Sequence, residues 1–290
     1  MHRDIIAQIF FLSAIIPCHT DGSHLVMQPD TCIGDMDMKI VIIGGTGLIG
    51  RPLVGLLRAE GHEVVAASPS TGIDALTGAG LAQALTGAAV VVDVSNAPSF
   101  EDAAALAFFR GTTTNLLEAA RDAGVRHVIA LSVVGTDRLQ ASGYFRAKLA
   151  QEQLIAGSGM PYTIVRATQF FEFLSTIADG YTRDDTVYLP GIALQPVAAA
   201  DVSALLAEIA TAAPAGGIIE VAGPERAPLA EFTASWLGAR DDPRRISLTA
   251  ERDYFGASAD DHTLVPGESA RIAPLRFDEW LAAQSQESAA

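Results

Sequence analysis

The chain has 290 residues, of which 49% are hydrophobic and 18% are charged, a composition typical of a globular protein with a large apolar core. Its formal net charge is -15 at pH 7 and it contains no basic run, which argues against nucleic acid or an anionic membrane as a main partner. We therefore expect the main partner to be a small molecule or a protein.

The first 37 residues contain both cysteines, Cys18 and Cys32. The rest of the chain can have neither a disulfide framework nor a thiol nucleophile, which favours a cytoplasmic location. The apolar run at 5–16 is shorter than the roughly 18 to 20 residues that span a bilayer. We interpret residues 1–37 as a nonessential N-terminal extension; a signal peptide is the alternative.

From Lys39 onward, short apolar segments alternate with helical stretches, which indicates parallel β-α-β units. The predicted strands lie at 39–43, 63–67, 73–74 (weak), 88–94, 125–131 and 161–165. The predicted helices between them lie at 50–60, 100–124 and 144–156. The strand at 88–94 is almost entirely apolar, as expected when both of its faces are buried.

The regular alternation ends at Arg166. Beyond it we predict a hairpin at 189–191, a helix at 201–213, a strand at 217–221 and two short C-terminal helices. Because ligands of open α/β sheets bind at the carboxyl ends of the strands, residues 167–290 are expected to form a smaller substrate lobe over that edge. The predicted fold is α/β: a Rossmann-type doubly wound parallel sheet at 38–166 with this smaller C-terminal lobe, from which 195–213 returns to the sheet.

A glycine-rich turn separates the first predicted strand from the first helix. Its spacing satisfies both G-x-G-x-x-G and G-x-x-G-x-x-G in the context that a dinucleotide site requires. Gly47 would let the backbone approach a pyrophosphate, Gly50 would let the helix pack on the sheet, and the helix N-terminus would face the anion. The predicted cofactor contacts here are Gly44, Gly45, Thr46, Gly47, Leu48, Ile49, Gly50 and Arg51.

The end of the second predicted strand bears on which nucleotide binds. Residues 67–70 read Ala-Ser-Pro-Ser and lack the carboxylate that an NAD-specific site usually offers to the ribose 2′-hydroxyl. Without that charge a 2′-phosphate is not repelled, and Arg51, Ser68 and Ser70 are candidates to contact it. We predict NADP as the preferred cofactor, with NAD as the alternative because no arginine follows this strand.

A Tyr-x-x-x-Lys pair, Tyr144 and Lys148, begins the helix predicted at 144–156. The 19 Lys and Arg residues include only two lysines, so Lys148 indicates a place where a compact ammonium is needed. Positions i and i+4 share one helix face, and the ammonium is therefore expected to lower the pKa of the phenol. The alternative is a Tyr/Lys stripe on the helix surface.

With both motifs in place, the chain resembles the short-chain dehydrogenase/reductase superfamily over about 38–225, specifically its atypical or extended, NmrA-like NAD(P)-binding branch. Residues 111–120 and 195–202 are similar to that family's fourth helix and to its returning strand and helix. The resemblance implies that Tyr144 exchanges a proton with a substrate oxygen and that Lys148 binds the nicotinamide ribose. It also implies that Ser132, just after the fifth predicted strand, hydrogen-bonds the same oxygen.

Other residues are predicted contacts because they follow predicted strands. Asn96 is expected to line the nicotinamide side, although a turn is an equal alternative. Thr168 is expected to border the nicotinamide, and Gln169 and Phe170 are expected to border the substrate. The alternative for the Phe170 ring is packing within the core of the C-terminal lobe. Family resemblance implies that Asp74 contacts adenine, against the alternative of a solvated loop acid. The sequence has no His/Cys spacing typical of a metal site.

Phe108 stands where many active members of the resembled family carry an asparagine that supports a proton relay. Two hypotheses follow. The first is an NADP(H)- or NAD(H)-dependent oxidoreductase acting on a small carbonyl, quinone or alcohol. The second is a non-catalytic, NAD(P)(H)-binding redox sensor of the NmrA type that regulates a protein partner. Tyr144 favours the enzyme, because a sensor needs the ribose-binding lysine and not the phenol, and Phe108 favours the sensor.

Overall fold

The structure, a computed structural model, describes residues 37–288 of the chain. The apolar run and the two cysteines of the predicted N-terminal extension lie outside the described residues. Within 37–288, none of the helices combines the length and the hydrophobicity of a transmembrane span.

The described residues form fourteen strands and eight α-helices, together with short 3-10 helices at Pro69–Thr71 and Phe171–Phe173. The strands are β1 (Lys39–Ile43), β2 (Glu63–Ala67), β3 (Val90–Asp93), β4 (His127–Val133), β5 (Tyr162–Ala167), β6 (Thr182–Arg183), β7 (Thr186–Pro190), β8 (Ala193–Leu194), β9 (Gly217–Ala222), β10 (Ala227–Pro228), β11 (Arg245–Thr249), β12 (Asp253–Tyr254), β13 (Ala257–Ser258) and β14 (Arg271–Ile272). The helices are α1 (Gly50–Ala59), α2 (Leu81–Leu85), α3 (Asp102–Asp122), α4 (Gly143–Ala156), α5 (Leu174–Gly180), α6 (Ala199–Thr211), α7 (Leu229–Gly238) and α8 (Phe277–Ser288).

Seven strands form a central parallel sheet in the order β14-β9-β5-β4-β3-β1-β2. Strand β1 pairs with β2 on one side and with β3 on the other, so the chain changes its direction of travel across the sheet at β1. Ligands of open α/β sheets bind at such a switch point, beyond the carboxyl ends of the strands. The predicted Rossmann-type fold is confirmed, and the glycine-rich turn lies at the switch point.

Both faces of the sheet are covered, because successive side chains of a strand point to opposite sides. Ile40 and Ile42 of β1 belong to one apolar cluster with Leu53 of α1, whereas Val41 lies in a second cluster with Leu116 of α3. These side chains are at most 2% exposed, and burying each contributes about 1.5–3 kcal/mol. Helices on both faces explain why β1 and β3 are almost continuously apolar.

The strand predicted at 73–74 is wrong. Asp74 forms only an isolated antiparallel bridge with Ala79, and β2 is the edge strand of the sheet. Gly72 and Gly80 flank this segment with φ angles of 80° and 71°, which residues with a side chain rarely adopt. The glycines close a loop here, and a loop does not extend the sheet.

The hairpin predicted at 189–191 lies one strand earlier in the structure. Strands β6 and β7 pair in antiparallel fashion around a turn that contains Asp184, whose φ is 51°. Strand β7 then ends at Pro190 and pairs in parallel with β11 on its other side. The Pro-Gly signal thus marks the end of a strand, because proline has no N–H to continue the ladder.

The chain after β5 contributes to the central sheet and also builds a separate apolar cluster. Strand β9 pairs with β5, and Val202 of α6 packs in the same cluster as Leu53 of α1. Phe171 and Trp280 belong to the other cluster, and their ring centroids are 5.5 Å apart. The boundary between two lobes at residue 166 stays a prediction.

Candidate active site

Two adjoining cavities lie at the switch point. The glycine-turn cavity has a volume of about 670 Å³ and is lined by the loop after β1, the end of β2 and the start of α4. The aromatic cavity has a volume of about 440 Å³, and seven of its sixteen lining residues carry aromatic rings. Residues that line both include Asn96, Ser132, Tyr144 and Phe170. The predicted catalytic tyrosine and serine therefore stand where the two cavities meet.

The glycine-rich turn presents its backbone to the glycine-turn cavity. Gly44 has a φ of 80°, and a methyl group in its place would lie 2.9 Å from the backbone nitrogen of Ser95. A methyl group on Gly47 would meet only the carbonyl oxygen of Gly44, at 3.3 Å. The cavity side of Gly47 is open, so a ligand phosphate has room to approach the backbone.

The N-terminus of α1 adds an anion-binding element to the turn. No side chain caps this helix, and its first turn contains no acidic residue. The backbone N–H groups at its start are therefore not used by a cap, and the helix dipole favours negative charge there. Thr46, Leu48 and Ile49 line the cavity, whereas Gly45 and Gly50 do not. The cradle fits the pyrophosphate of a dinucleotide.

Gly50 offers a direct test of this packing. A methyl group at Gly50 would lie 2.2 Å from the carbonyl oxygen of Gly44, so Gly50→Ala is expected to destabilise the fold by about 1–3 kcal/mol and weaken nucleotide binding. Gly55, on the same helix, has nothing within 4 Å of that position, and Gly55→Ala is expected to stabilise by up to about 1 kcal/mol. Urea unfolding of both variants checks the pair. Equal effects would contradict the close approach at Gly50.

Only some of the residues predicted to contact the nucleotide line the glycine-turn cavity. Ser68 is buried, lines the cavity and lies with its Oγ 2.8 Å from Ser70 Oγ. Asp74 also lines it, while its carboxylate accepts a hydrogen bond from the backbone N–H of Leu76. The exposed Arg51 donates to the Thr46 carbonyl and does not line the cavity. Ser68 thus keeps its predicted position and Arg51 does not.

Tyr144, near the N-terminus of α4, donates its hydroxyl to Asn96 Oδ1 at 3.0 Å. Its ring packs against Phe100 and Phe109, with centroids 5.3 Å and 5.9 Å away. This burial raises the pKa of the Tyr144 phenol, so the expected lowering by Lys148 is wrong for this structure. The phenol keeps its proton at neutral pH, and the raised pKa makes it a weaker acid than a solvent-exposed tyrosine.

Lys148 is only 2% exposed, which excludes a surface stripe. Its Nζ donates to the Leu131 carbonyl at 2.7 Å and to Gln151 Oε1 at 2.5 Å, and it lies 4.4 Å from the centroid of the Phe109 ring. Burial lowers the pKa of Lys148 to about 8, against the attraction of buried Asp93. An ammonium has three donors, and these two hydrogen bonds leave one for a ligand in the glycine-turn cavity that Lys148 lines.

Ser132, near the end of β4, donates its hydroxyl to Glu152 Oε1 at 2.5 Å. The same carboxylate is held by Arg166, whose Nε and Nη2 lie 2.9 Å and 2.7 Å from its oxygens. All three side chains are buried. Because the Ser132 proton is directed at Glu152, the serine presents lone pairs to the cavities and acts as an acceptor in this state. The family resemblance implied a hydrogen bond between Ser132 and the substrate oxygen and did not specify its direction.

The remaining predicted residues divide between the two cavities. Thr168 and Gln169 line the aromatic cavity only, and Phe170 lines both. Thr168 Oγ1 donates to the Gln195 carbonyl at 2.7 Å. The predicted contact between Thr168 and the cofactor is therefore not supported by its position, whereas Gln169 and Phe170 lie where a substrate is expected.

Sequence reasoning missed several residues of the site. The rings of Phe100, Tyr254 and Phe255 line the aromatic cavity but come from segments far apart in the chain, and no local pattern links them. Arg166 lies inside β5, one residue beyond the predicted strand, and a cation buried in a strand requires a buried partner. That partner, Glu152, lies one turn after Lys148 on the same helix, at a spacing that places both toward the sheet.

Comparison with known proteins agrees with this geometry. A family model described as NAD(P)H-binding matches residues 44–213, more than half of the chain. The chain belongs to the NAD(P)H-binding family. The match begins at the glycine-rich turn and ends just after α6, so it covers the strands whose carboxyl ends form both cavities. The predicted NAD(P)-binding character is confirmed at the level of this family.

Reductases are among the curated relatives of this NAD(P)H-binding chain. It is 28% identical over 258 residues to divinyl chlorophyllide a 8-vinyl-reductase of Oryza sativa and 28% identical over 265 residues to 3-diazoavenalumate denitrifying reductase of a Streptomyces species. These matches cover 76% and 73% of this chain and 64% and 85% of the relatives. A third relative, photosystem II assembly factor Ycf39 of Cyanophora paradoxa, is 27% identical over 47% of each chain. The chain thus spans about half of one relative and under two thirds of another.

Solved structures share the fold. Escherichia coli NADPH-dependent quinone oxidoreductase matches with a TM-score of 0.61 at 20% identity, covering 84% of this chain and 99% of that one. Bacillus anthracis dTDP-4-dehydrorhamnose reductase in complex with NADP matches with a TM-score of 0.65 at 15% identity, covering 88% and 99%. At these identities the likeness establishes the Rossmann-type fold and no more.

Proposed function

We propose that this chain is an NAD(P)H-dependent oxidoreductase that transfers hydride to or from a small carbonyl, quinone or alcohol. One observation carries the proposal: the phenol of Tyr144 lines both cavities at the point where they meet. A general acid must reach both the reacting oxygen and the cofactor side, and this position offers both. Reductases among the curated relatives support the same reaction class.

The residues around the glycine-turn cavity fit a nicotinamide dinucleotide. The turn and the N-terminus of α1 would hold the pyrophosphate, and the remaining donor of Lys148 would bind the ribose hydroxyls. When bound, the nicotinamide supplies or accepts the hydride. We propose NADP as the preferred cofactor because β2 ends at Ala67-Ser68 without a carboxylate, and NAD remains the alternative. The cysteine-free body of the chain supports a cytoplasmic location.

Proton transfer is the task of the protein itself. In the direction of reduction, the Tyr144 hydroxyl leaves its acceptor, Asn96 Oδ1, and gives its proton to the substrate oxygen. The Lys148 ammonium, one helical turn away, stabilises the negative charge that develops on the phenol oxygen. Ser132 offers lone pairs beside the same oxygen and can accept a hydrogen bond from the alcohol that forms.

The test combines cofactor binding with turnover. Dissociation constants for NADPH and NADH are measured by fluorescence titration, and oxidation of each is followed with a panel of quinones, aromatic aldehydes and ketones. We expect tighter binding of NADPH and turnover of at least one carbonyl class. Clear preference for NADH would overturn the NADP assignment without affecting the reaction.

A redox-sensing regulator is the second candidate, and Phe108 is the observation that favours it. The Phe108 ring lines the glycine-turn cavity, where it cannot relay a proton. Tight nucleotide binding without turnover of any member of the panel would support the regulator over the oxidoreductase, and a protein partner would then be sought.

The substitution Lys148→Arg tests whether Lys148 binds the nicotinamide ribose, whether the chain is an oxidoreductase or a regulator. The site is closed around a compact ammonium above the Phe109 ring, and a planar guanidinium does not fit the same acceptors, so cofactor affinity is expected to fall at least about tenfold. The only other lysine, Lys39, donates to the Thr86 carbonyl at an exposed position and gives a matched control. Lys39→Arg is expected to leave affinity unchanged, and equal effects of the two substitutions would contradict the role of Lys148.

A further inference from the structure

Two buried polar side chains that the proposed proton transfer does not use, Gln151 and Asp93, connect in series to Lys148. Lys148 Nζ donates to Gln151 Oε1 at 2.5 Å, and Gln151 Nε2 donates to Asp93 Oδ2 at 2.9 Å. Lys148 and Asp93 are 2% exposed, and Gln151 is 1% exposed. An ammonium on α4 and a carboxylate at the end of β3 are thus joined through one neutral amide inside the protein.

These hydrogen bonds can run in only one direction. An ammonium offers donors alone, so the oxygen of the Gln151 amide must face Lys148 and its nitrogen must face Asp93. Asp93 Oδ1 accepts two more hydrogen bonds, from the backbone N–H of Ser95 at 2.9 Å and from the Ser95 hydroxyl at 2.6 Å. Burial raises the pKa of Asp93, and these three donors oppose that rise because they favour the ionised carboxylate.

Asp93 is the carboxylate available to balance the charge of Lys148. The charged groups that act on Lys148 are Asp93 on β3 and Glu152 on its own helix. From α3, the uncharged Phe109 ring packs against the ammonium. Glu152 is already paired with Arg166, whereas none of the ion pairs among the described residues includes Asp93. A buried ammonium needs a counter-ion, and Asp93 supplies one through the amide.

The same carboxylate also supports the acceptor of the Tyr144 hydroxyl. Its hydrogen bonds to Ser95 hold the start of the loop after β3, and Asn96 is the next residue of that loop. Asn96 Oδ1 accepts the hydroxyl of Tyr144. Asp93 is therefore linked both to Lys148 and to the acceptor of Tyr144.

We propose that Gln151 and Asp93 are positioning residues that keep the Lys148 ammonium charged and direct its remaining donor into the glycine-turn cavity. This rests on the proposed ribose-binding role of Lys148. Gln151 and the Leu131 carbonyl each accept from one N–H bond, which fixes the rotation of the ammonium and leaves the third N–H bond for the ribose. Asp93 supplies the opposite charge and orients the Gln151 amide.

The scarcity of lysine makes the proposal directly measurable by NMR. The chain contains two lysines, so the full chain labelled with ¹³C at lysine Cε gives two side-chain signals, which Lys39→Arg assigns. Titration of the Lys148 signal measures its pKa, which burial lowers to about 8. In Asp93→Asn and in Gln151→Met this pKa is expected to fall further, by at least about 1, because the ammonium loses its counter-ion or its acceptor.

NADPH affinity is a second readout, and its dependence on pH separates the charge from lost packing. An ammonium is charged below its pKa, so the unaltered chain should bind NADPH tightly near about pH 7 and more weakly as the pH rises through about 8. The Tyr144 phenol keeps its proton over this range because its pKa is raised. With a Lys148 pKa lower by about 1, each variant should bind NADPH about fivefold more weakly at about pH 8.

The matched controls are Gln153→Met, on the exposed face of α4, and Asp122→Asn, at the exposed end of α3. Both should leave the Lys148 pKa and the pH dependence of NADPH binding unchanged. Equal values in the unaltered chain and in both Asp93→Asn and Gln151→Met would overturn the proposal. A lowered pKa without any loss of NADPH affinity would overturn the part in which the charge serves the cofactor.

A second variant keeps the proposal testable if the first is unstable. Should Asp93→Asn fail to fold, Gln151→Met decides alone, because methionine keeps the length of the side chain and leaves the contacts of Ser95 in place. A chain that shows both shifts but oxidises NADPH with none of the carbonyls would overturn the reductase function and not this proposal, so the two failures are distinguishable.

Discussion

Replacing Tyr144 with phenylalanine is expected to lower kcat for carbonyl reduction by about 10²- to 10⁴-fold, the usual contribution of a positioned general acid. The hydroxyl that donates to Asn96 is lost, whereas the ring keeps its packing against Phe100 and Phe109. NADPH affinity is therefore expected to change little. Steady-state kinetics with the best carbonyl of the panel, together with a fluorescence titration of NADPH, measure both quantities.

The matched control for this variant is Tyr188→Phe. Tyr188 is 38% exposed on β7 and lines neither cavity, so its substitution should leave kcat unchanged. A Tyr144→Phe enzyme with unaltered kcat would remove the phenol from catalysis. Loss of kcat together with loss of NADPH binding would indicate a structural role rather than proton transfer.

The position of Tyr144 could be predicted from sequence, and its acidity could not. The Tyr-x-x-x-Lys spacing and the strand before it place both residues near the carboxyl end of the sheet. The pKa of the phenol depends instead on rings from α3 and from the loop before it, which bury the hydroxyl beside Asn96. Spacing within one helix carries no information about those neighbours.

Local sequence patterns also predict some parts of the fold and miss the parts that depend on residues far apart in the chain. Strands β1 and β2 begin and end at the predicted residues, because apolar runs bounded by glycines are local signals. The segment at 73–74 also looks like a strand locally, but positive φ angles at Gly72 and Gly80 make it a loop. Partner strands of the smaller sheets, such as β7 with β11, lie far apart in sequence, and no local pattern specifies their pairing.

Removing the guanidinium of Arg166 is expected to be among the most destabilising single changes in the site. Arg166→Met leaves the buried Glu152 carboxylate with the Ser132 hydroxyl as its remaining side-chain donor. Breaking a buried pair in this way costs about 3–5 kcal/mol, because a desolvated charge loses its counter-ion. Urea unfolding monitored by circular dichroism measures the change. Arg271→Met is the control, since Arg271 pairs with Glu208 at an exposed position, where such pairs contribute about 0–1 kcal/mol.

The double variant Arg166→Met with Glu152→Gln separates a buried charge from lost packing. A neutral amide no longer needs a cation, so the double variant is expected to recover at least half of the stability lost in Arg166→Met. If it recovers nothing, the cost lies in packing around Arg166 and not in the charge of Glu152. The Glu152→Gln substitution also affects Ser132. Glu152 directs the Ser132 proton away from the cavities, and the neutral amide of glutamine is a weaker acceptor for that proton. Ser132 would then be freer to donate to a substrate oxygen, so the ion pair sets whether this serine acts as a donor or as an acceptor.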